Sequence, residues 1–444
     1  MISHRILYVL MKYKSFYILT MNPILQNPQN YRWIILAVCF FTITFTNGLT
    51  LGGLVVFDRE ILNYLSEATG EEVLRQDLKL KDAITLWSTA VFAFIAGIII
   101  DRVGVRALMM SGLFILSATF YFYAKSDSLF DMYIIHIFQG MVLSMSGMVI
   151  NVILISKWFN DNRGLAIGVL LAGTSVGNGL FPQINTYLLT ISDGDWRQVM
   201  MWLALIPLAY IPVIFAFIKE KPEDLKIEEN NYTGDEVKTA NIQTGFTLEQ
   251  TLSSANFWFL SVMAFCTFYS ILAMIGHVFL MLDGEGYSPQ VSATGVSIIF
   301  IGGFIGKVIS GKLAEMIGRK KVLVGGVAMM LLGSTLLVSA IFYKNPLLIW
   351  IGLSLYGTGW GGLYTLIQLL VADLFGLIAI GKIMGVINII DTIGGGLGPI
   401  INAVIYDSTQ NYLTPVLVIC GLLTIALISS SMLKIDDNAI EQSR

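Results

Sequence analysis

The chain is expected to be an all-α membrane protein, with twelve transmembrane helices in two pseudo-symmetric six-helix bundles. Three observations predict this. The 444 residues are 55% hydrophobic and 13% charged, with a mean hydropathy of +0.74, too apolar for a soluble chain of this length. A glycine-framed acid–base turn occurs twice where an apolar run ends: Gly97, Asp101, Arg102, Gly104 and Arg106 in GIIIDRVGVR, then Gly311, Glu315, Gly318 and Lys320 in GKLAEMIGRK. Gly97 to Gly311 and Gly104 to Gly318 are the same shift of 214 residues, the mark of two hydrophobic halves built by duplication. A second element, TSVGNGLFP at 174–182, aligns with DTIGGGLGP at 391–399 at a shift of 217.

A spanning helix needs about 20 apolar residues. Runs of this kind lie near 33–57, 82–100, 107–123, 130–155, 165–190 and 196–218, and again near 257–282, 291–313, 322–342, 347–371, 383–406 and 414–433. The domain reading is a cytoplasmic segment at 1–30, a first bundle at 31–218, a cytoplasmic linker at 219–254, a second bundle at 255–434 and a tail at 435–444. The linker is rich in Lys, Glu, Asp and Asn, with a short amphipathic helix at 247–253 expected to lie against the membrane. The first 20 residues are basic and apolar but carry no small-residue cleavage site. They read as neither a cleaved signal peptide nor a thirteenth span, and Met21 is an alternative start. The connection at 58–81 is long and acidic; it reads as a solvated helical cap, with selection of a charged substrate as the alternative.

Basic residues set the orientation. With both termini cytoplasmic, 19 Lys and Arg fall on inside segments and 7 outside, with Lys307 within a span. The bias places both acid–base turns in the cytoplasm, and the chain in the inner membrane as a multi-pass protein. The net charge of −3 says little beside this distribution. The cysteines Cys39, Cys266 and Cys420 lie in apolar runs without metal-ligand spacing and read as core residues.

In the fifth and eleventh spans the repeated glycines let helices approach closely, and the prolines bend them. Helix packing alone accounts for most of these glycines. Six plus six spans, the G-x-x-x-D-R-x-G-x-R turn and the central linker together resemble the major facilitator superfamily, from about Tyr31 to Leu433. The second turn departs from that pattern, with Glu315 as the acid and Met316 where a base is usual. Within the superfamily, KWFNDNRGLAIGVLLAGTSVG, DWR at 195–197, KPEDL at 221–225, GHVFLMLDGEGYSP and YGTGWGGLYTLIQLLVADLFG are similar to the monocarboxylate and oxalate–formate branch. Drug–proton antiporters are the rival branch. Against them stand His136 where R-x-x-Q-G would place arginine, and Asn178 after Gly177 where Gly-Pro is usual.

Charges at mid-membrane depth are costly, so each is a functional candidate. Two stand out: Lys307 in FIGKVISGK, and Asp391. At a rise of 1.5 Å per residue both lie roughly 12–14 Å from the cytoplasmic ends of their spans. The branch commonly has arginine at the place of Lys307, so the resemblance implies an anion-binding cation there. Lysine lacks the bidentate fork that fits a carboxylate. The competing reading is a lysine snorkelling to the interface. An ion pair with Asp391 is expected to lower the cost of burying both; protonation of Asp391 would then free Lys307 for substrate, with static neutralisation without coupling as the alternative. His277 and His136 are further proton-coupling candidates, although a lone histidine in an apolar helix is more often a packing residue. Tyr269, Asn47, Trp360, Tyr364 and Gln368 lie on the first, seventh and tenth spans, which the resemblance implies line the cavity.

Gly97, Asp101, Arg102, Gly104 and Arg106, with Gly311, Glu315, Gly318 and Lys320, are expected to latch the cytoplasmic side shut by pairing with neighbouring helices and their dipoles. The chain lacks a P-loop, an HExxH, a paired-cysteine motif and a serine elbow, so an enzyme is not expected, nor is a cofactor, a metal or a nucleic-acid partner. The function implied is secondary active transport of a small mono- or dicarboxylate by alternating access, coupled to protons, by a monomer. The alternatives are a proton-driven exporter of a drug-like compound or metallophore, or a transporter-like sensor.

Overall fold

The computed structural model describes residues 27–159, 162–220, 245–376 and 378–434. Most of the expected linker, the first 26 residues and the tail therefore lie outside the described residues. Among the described residues, eleven helices are long and apolar enough to cross a membrane. A twelfth crossing is split at Gly361–Gly362 into Pro346–Trp360 and Leu363–Phe375, each piece alone too short to span.

The first span, Pro28–Asn47, is capped by Asn27, whose side chain accepts from the Gln29 amide. It runs through a π turn at Gly48–Gly52 and a 3-10 turn at Leu54–Phe57 into a helix at Asp58–Thr69. The irregular turns have a partner. Gly48 and Gly52 lie against the backbone of Gly177 and Asn178 on the fifth span, where any side chain would collide. Asn178 Oδ1 accepts the Gly52 amide at 2.7 Å, and Asn185 Nδ2 donates to the Gly53 carbonyl at 2.9 Å. A π turn strands backbone groups inside the membrane, and these two amides satisfy them.

The remaining spans are Arg75–Val103, Val105–Tyr123, Leu129–Ser146 with Met148–Trp158, Arg163–Ile191 and Trp196–Phe217, then Ala255–Gly284, Pro289–Ile317, Arg319–Tyr343, the split tenth, Ile380–Thr409 and Leu413–Met432. The duplication shows in the backbone. Gly104 (φ 84, ψ 153) and Gly318 (φ 95, ψ 144) end the second and eighth spans in the same conformation, one that side chains rarely adopt.

The segment at 58–81 is helical at Asp58–Thr69 and solvated only in part: Glu67, Glu71 and Glu72 are exposed. The second span begins at Arg75, and Asp58, Lys79 and Lys81 are fully buried. Lys79 pairs with Asp58 and, at 3.2 Å, with Asp82; Lys81 lies 3.0 Å from Asp58 and 2.8 Å from Asp82. Two cations and two acids cancel, which is what makes their burial tolerable. The DWR string has a structural role too. Asp195 caps the sixth span, and Arg197 donates to the Ser126 carbonyl at 2.6 Å and to Asp127 at 2.7 Å while stacking over Tyr64. At the other end, Leu248–Leu252 forms the expected short helix, held by a Thr247–Gln250 capping box.

The bundles meet where the second span packs on the eleventh and the fifth on the eighth. On the face opposite the acid–base turns this seam is closed. Gln183 donates to Thr294 and Ser297, Gln290 to Thr190, and Arg59 to Asp283. The Arg75 and Gln76 amides, at the start of the second span, donate to Asp407 of the eleventh. Toward the basic face, Gly97, Gly164, Gly168, Gly311, Gly381 and Gly385 have open space where a side chain would project, and the cross-seam bonds named above all lie on the other face. The cleft between the bundles therefore opens toward the acid–base turns.

Candidate functional site

Lys307 lies at this seam. Gly302 and Gly306 bring the eighth span onto the backbone of Gly357 and Thr358 on the tenth, and this close approach sets Lys307 beside Trp360. Its ammonium donates to Thr174 Oγ1 and Ser175 Oγ of the fifth span, each at 2.9 Å, and sits 5.6 Å from the centre of the Trp360 ring. Among the described residues no carboxylate pairs with it within 4.0 Å. Two hydroxyls and a ring face solvate a cation without neutralising it. Lys307 is half-buried.

The expected ion pair with Asp391 is not formed. Asp391 is buried on the eleventh span and accepts from the neighbouring Thr392 hydroxyl at 3.2 Å. The reason is directional. Lys307 turns across the seam to the first bundle's hydroxyls, whereas Asp391 stays within the second bundle, close enough to Tyr364 to act on it electrostatically. Two charges at similar depth are thus held apart.

The other candidates separate into two groups. Trp360 and Tyr364 lie one turn apart on the split tenth span, Tyr364 against Phe268, with Gln368 exposed one turn further. Tyr269 donates to Asn402 at 3.2 Å within the second bundle. Asn47 donates back to the Ile43 carbonyl of its own helix. The histidines are occupied with packing. His277 bonds the Pro399 carbonyl at 2.8 Å and the Tyr412 hydroxyl at 3.2 Å; His136 bonds Thr85 at 2.7 Å and Tyr123 at 3.4 Å, and both rings are buried.

At the basic face, Arg319 pairs with Asp373 at the end of the tenth span, and Lys320 donates to the Leu433 carbonyl at 2.6 Å. Glu315 is exposed and makes no ion pair among the described residues. The acid joined to the second turn is therefore Asp373. In the first turn Arg102 is exposed, Arg106 stacks on Phe215, and the Glu220 carboxylate lies over Gly104. The side chain of Asp101 lies outside the described residues. Sequence reasoning passed over Thr174 and Ser175, whose string reads as packing, and Asp82, which borders the closed crevice with Leu272, Gly276 and Pro399. An acid at the end of an apolar run, in VADLFG, was the available signal for Asp373.

Two bundles of membrane helices around an open cleft, duplicated to the level of one glycine conformation, match the Major Facilitator Superfamily over residues 36–399. The chain belongs to that superfamily. Its fold is shared with a bacterial homolog to the human lysosomal transporter Spinster in an inward-facing, occupied conformation, at a TM-score of 0.68 and 13% identity, covering 93% of this chain and 98% of that one. Among curated members, the uncharacterized MFS-type transporter YhjX of Escherichia coli (strain K12) is 26% identical over 70% of this chain and 73% of its own length. The gallate transporter of Pseudomonas putida is 22% identical over 70% and 73%. The hexuronate transporter of Bacillus subtilis (strain 168) is 23% identical over 76% and 81%. As a superfamily member, this is a multi-pass membrane transport protein for a small molecule, not an enzyme.

Proposed function

We propose that this transporter moves a small organic anion, a mono- or dicarboxylate, across the inner membrane by alternating access. One observation carries the reading: Lys307 holds an ammonium at the seam between the bundles with no acid among the described residues to neutralise it. An uncompensated cation in a low-dielectric cleft attracts an anion. The gallate and hexuronate transporters among the relatives carry carboxylates by name, which supports the same class. Anion binding at Lys307 competes with Thr174 and Ser175, so loading loosens the bond between fifth and eighth spans and biases the two-state motion.

Asp391 is the proposed coupling group, a buried carboxylate that pairs with no cation among the described residues. The basic face is assigned to the cytoplasm with both termini, following the positive-inside bias, and one chain is the functional unit. Residues 31–218 and 255–434 are proposed as the rocking units, with the turns around Gly104 and Gly318 as the cytoplasmic gate. The test uses proteoliposomes loaded with lactate, gluconate or 3,4-dihydroxybenzoate as counterflow probes. Exchange of at least one that is lost in Lys307→Ala supports the reading; exchange that survives Lys307→Ala refutes it. Acid-driven uptake unchanged in Asp391→Asn would remove Asp391 from coupling and leave the anion site standing.

A further inference from the structure

Two unpaired polar atoms near the charged groups of the second bundle differ in type. Beside Lys307, the Trp360 indole nitrogen is buried with no acceptor. Lys307 and Trp360 together make a donor end, one group charged and one neutral. The other end is reversed. Asp391 is an acceptor bonded only to the adjacent Thr392, and Asn388 Oδ1, three residues earlier on the same helix, is buried with no donor. Residues three apart share a helix face. Between the ends runs the tenth-span stripe of Trp360 and Tyr364, one turn apart, the first against Lys307 and the second within electrostatic reach of Asp391.

Buried polar atoms in a folded protein are nearly always paired, and an orphan needs a reason. Two orphans of opposite type, each next to a charge of matching hydrogen-bond character, share one reason. We infer that the cleft is polarised to take a hydroxylated organic anion, its anionic group at Lys307 and Trp360 and its hydroxyls donating to Asp391 and Asn388. The inference rests on Lys307 as the anion anchor and adds the second end of the ligand. An anion without hydroxyls satisfies the donor end and leaves two desolvated acceptors facing hydrocarbon, which a site built for hydrogen bonding rejects. The separation of Lys307 from Asp391 acquires a purpose: a direct ion pair would close both ends on each other.

The experiment titrates the purified, detergent-solubilised protein by calorimetry and thermal shift with three matched pairs: propionate and lactate, hexanoate and gluconate, benzoate and 3,4-dihydroxybenzoate. In at least one pair the hydroxylated member binds about tenfold or more tightly. Asn388→Ala and Asp391→Leu reduce that preference to about threefold or less, and Lys307→Ala removes binding of both members. Asn388→Ala serves alone should Asp391→Leu not fold. Equal binding of both members in every pair, still abolished by Lys307→Ala, overturns the polarised cleft and leaves the anion reading intact. Binding that persists in Lys307→Ala, or no binding of any probe, overturns the anion anchor and this inference with it.

Discussion

Among the described residues the ammonium of Lys307 is held by neutral groups alone, and that determines how its replacements behave. Lys307→Ala removes a charge-assisted contact, so affinity for the carried anion falls about a hundredfold or more, out of the range of calorimetry. Lys307→Arg keeps the charge but must place a planar fork where two hydroxyls and a ring receive a point charge. Its affinity falls less than that of Lys307→Ala, and its preference moves toward planar carboxylates. Thr174→Val and Ser175→Ala together remove the competitors for the ammonium; anion affinity then rises while turnover falls. Sequence reasoning found Lys307 and Asp391 because a charge in an apolar run is visible in one dimension. It paired them because equal depth is also visible there. The direction in which each side chain leaves its helix is not, and that direction keeps them apart.

Elements were legible where a periodic apolar run ends on a glycine, and obscure where charge is hidden. The twin glycines show the first case. Gly104→Ala or Gly318→Ala forces a side chain into a strained conformation and costs about 1–3 kcal/mol, measurable as a lower thermal midpoint in detergent; Gly97→Ala, with open space around it, leaves the midpoint unchanged. The second case is the helix at Asp58–Thr69 and the start of the second span. Asp58, Lys79 and Lys81 read as loop, and Asp82 as a span end, because a connection carrying many charges reads as solvated. Their mutual neutralisation is a three-dimensional fact. The Arg197 staple adds a pH signature. Hydrogen bonds from Arg197 and Tyr64 hold the Asp127 carboxyl below the ordinary range. A depressed native pKa means the staple is in place at neutral pH and weakens as pH falls through the Asp127 titration. Arg197→Ala removes that acid-side loss of stability, seen as a flatter thermal midpoint between pH 6 and about pH 3.

At the scale of the whole molecule the closed face is tied by bonds that must break for the cleft to open there. Thr190→Cys and Gln290→Cys, at positions whose side chains bond at 3.0 Å, bridged through a short bis-thiosulfonate reagent, are expected to stop transport when oxidised and restore it when reduced. The open cleft on the basic face still admits ligand in the oxidised state. Asp407 accepts two amides at the start of the second span, where the helix dipole favours an acid. Asp407→Asn shifts the population toward the state opened on the far face, read as increased labelling of a cysteine at Leu272 beside the closed crevice. Unchanged labelling would show that this contact does not bias the equilibrium.

Amino-acid order alone determined the membrane class, the duplication, the twelve crossings and the few residues whose charge is expensive in oil. Each follows from local composition or from a repeat, and neither depends on what lies opposite. Which face is closed, which acid meets Arg319, why Asn178 replaces proline and whether Lys307 has a counter-ion were decided by packing between helices far apart in the chain. Hydrogen bonds in the membrane interior have no water to fall back on, so their partners are chosen by the assembled bundles.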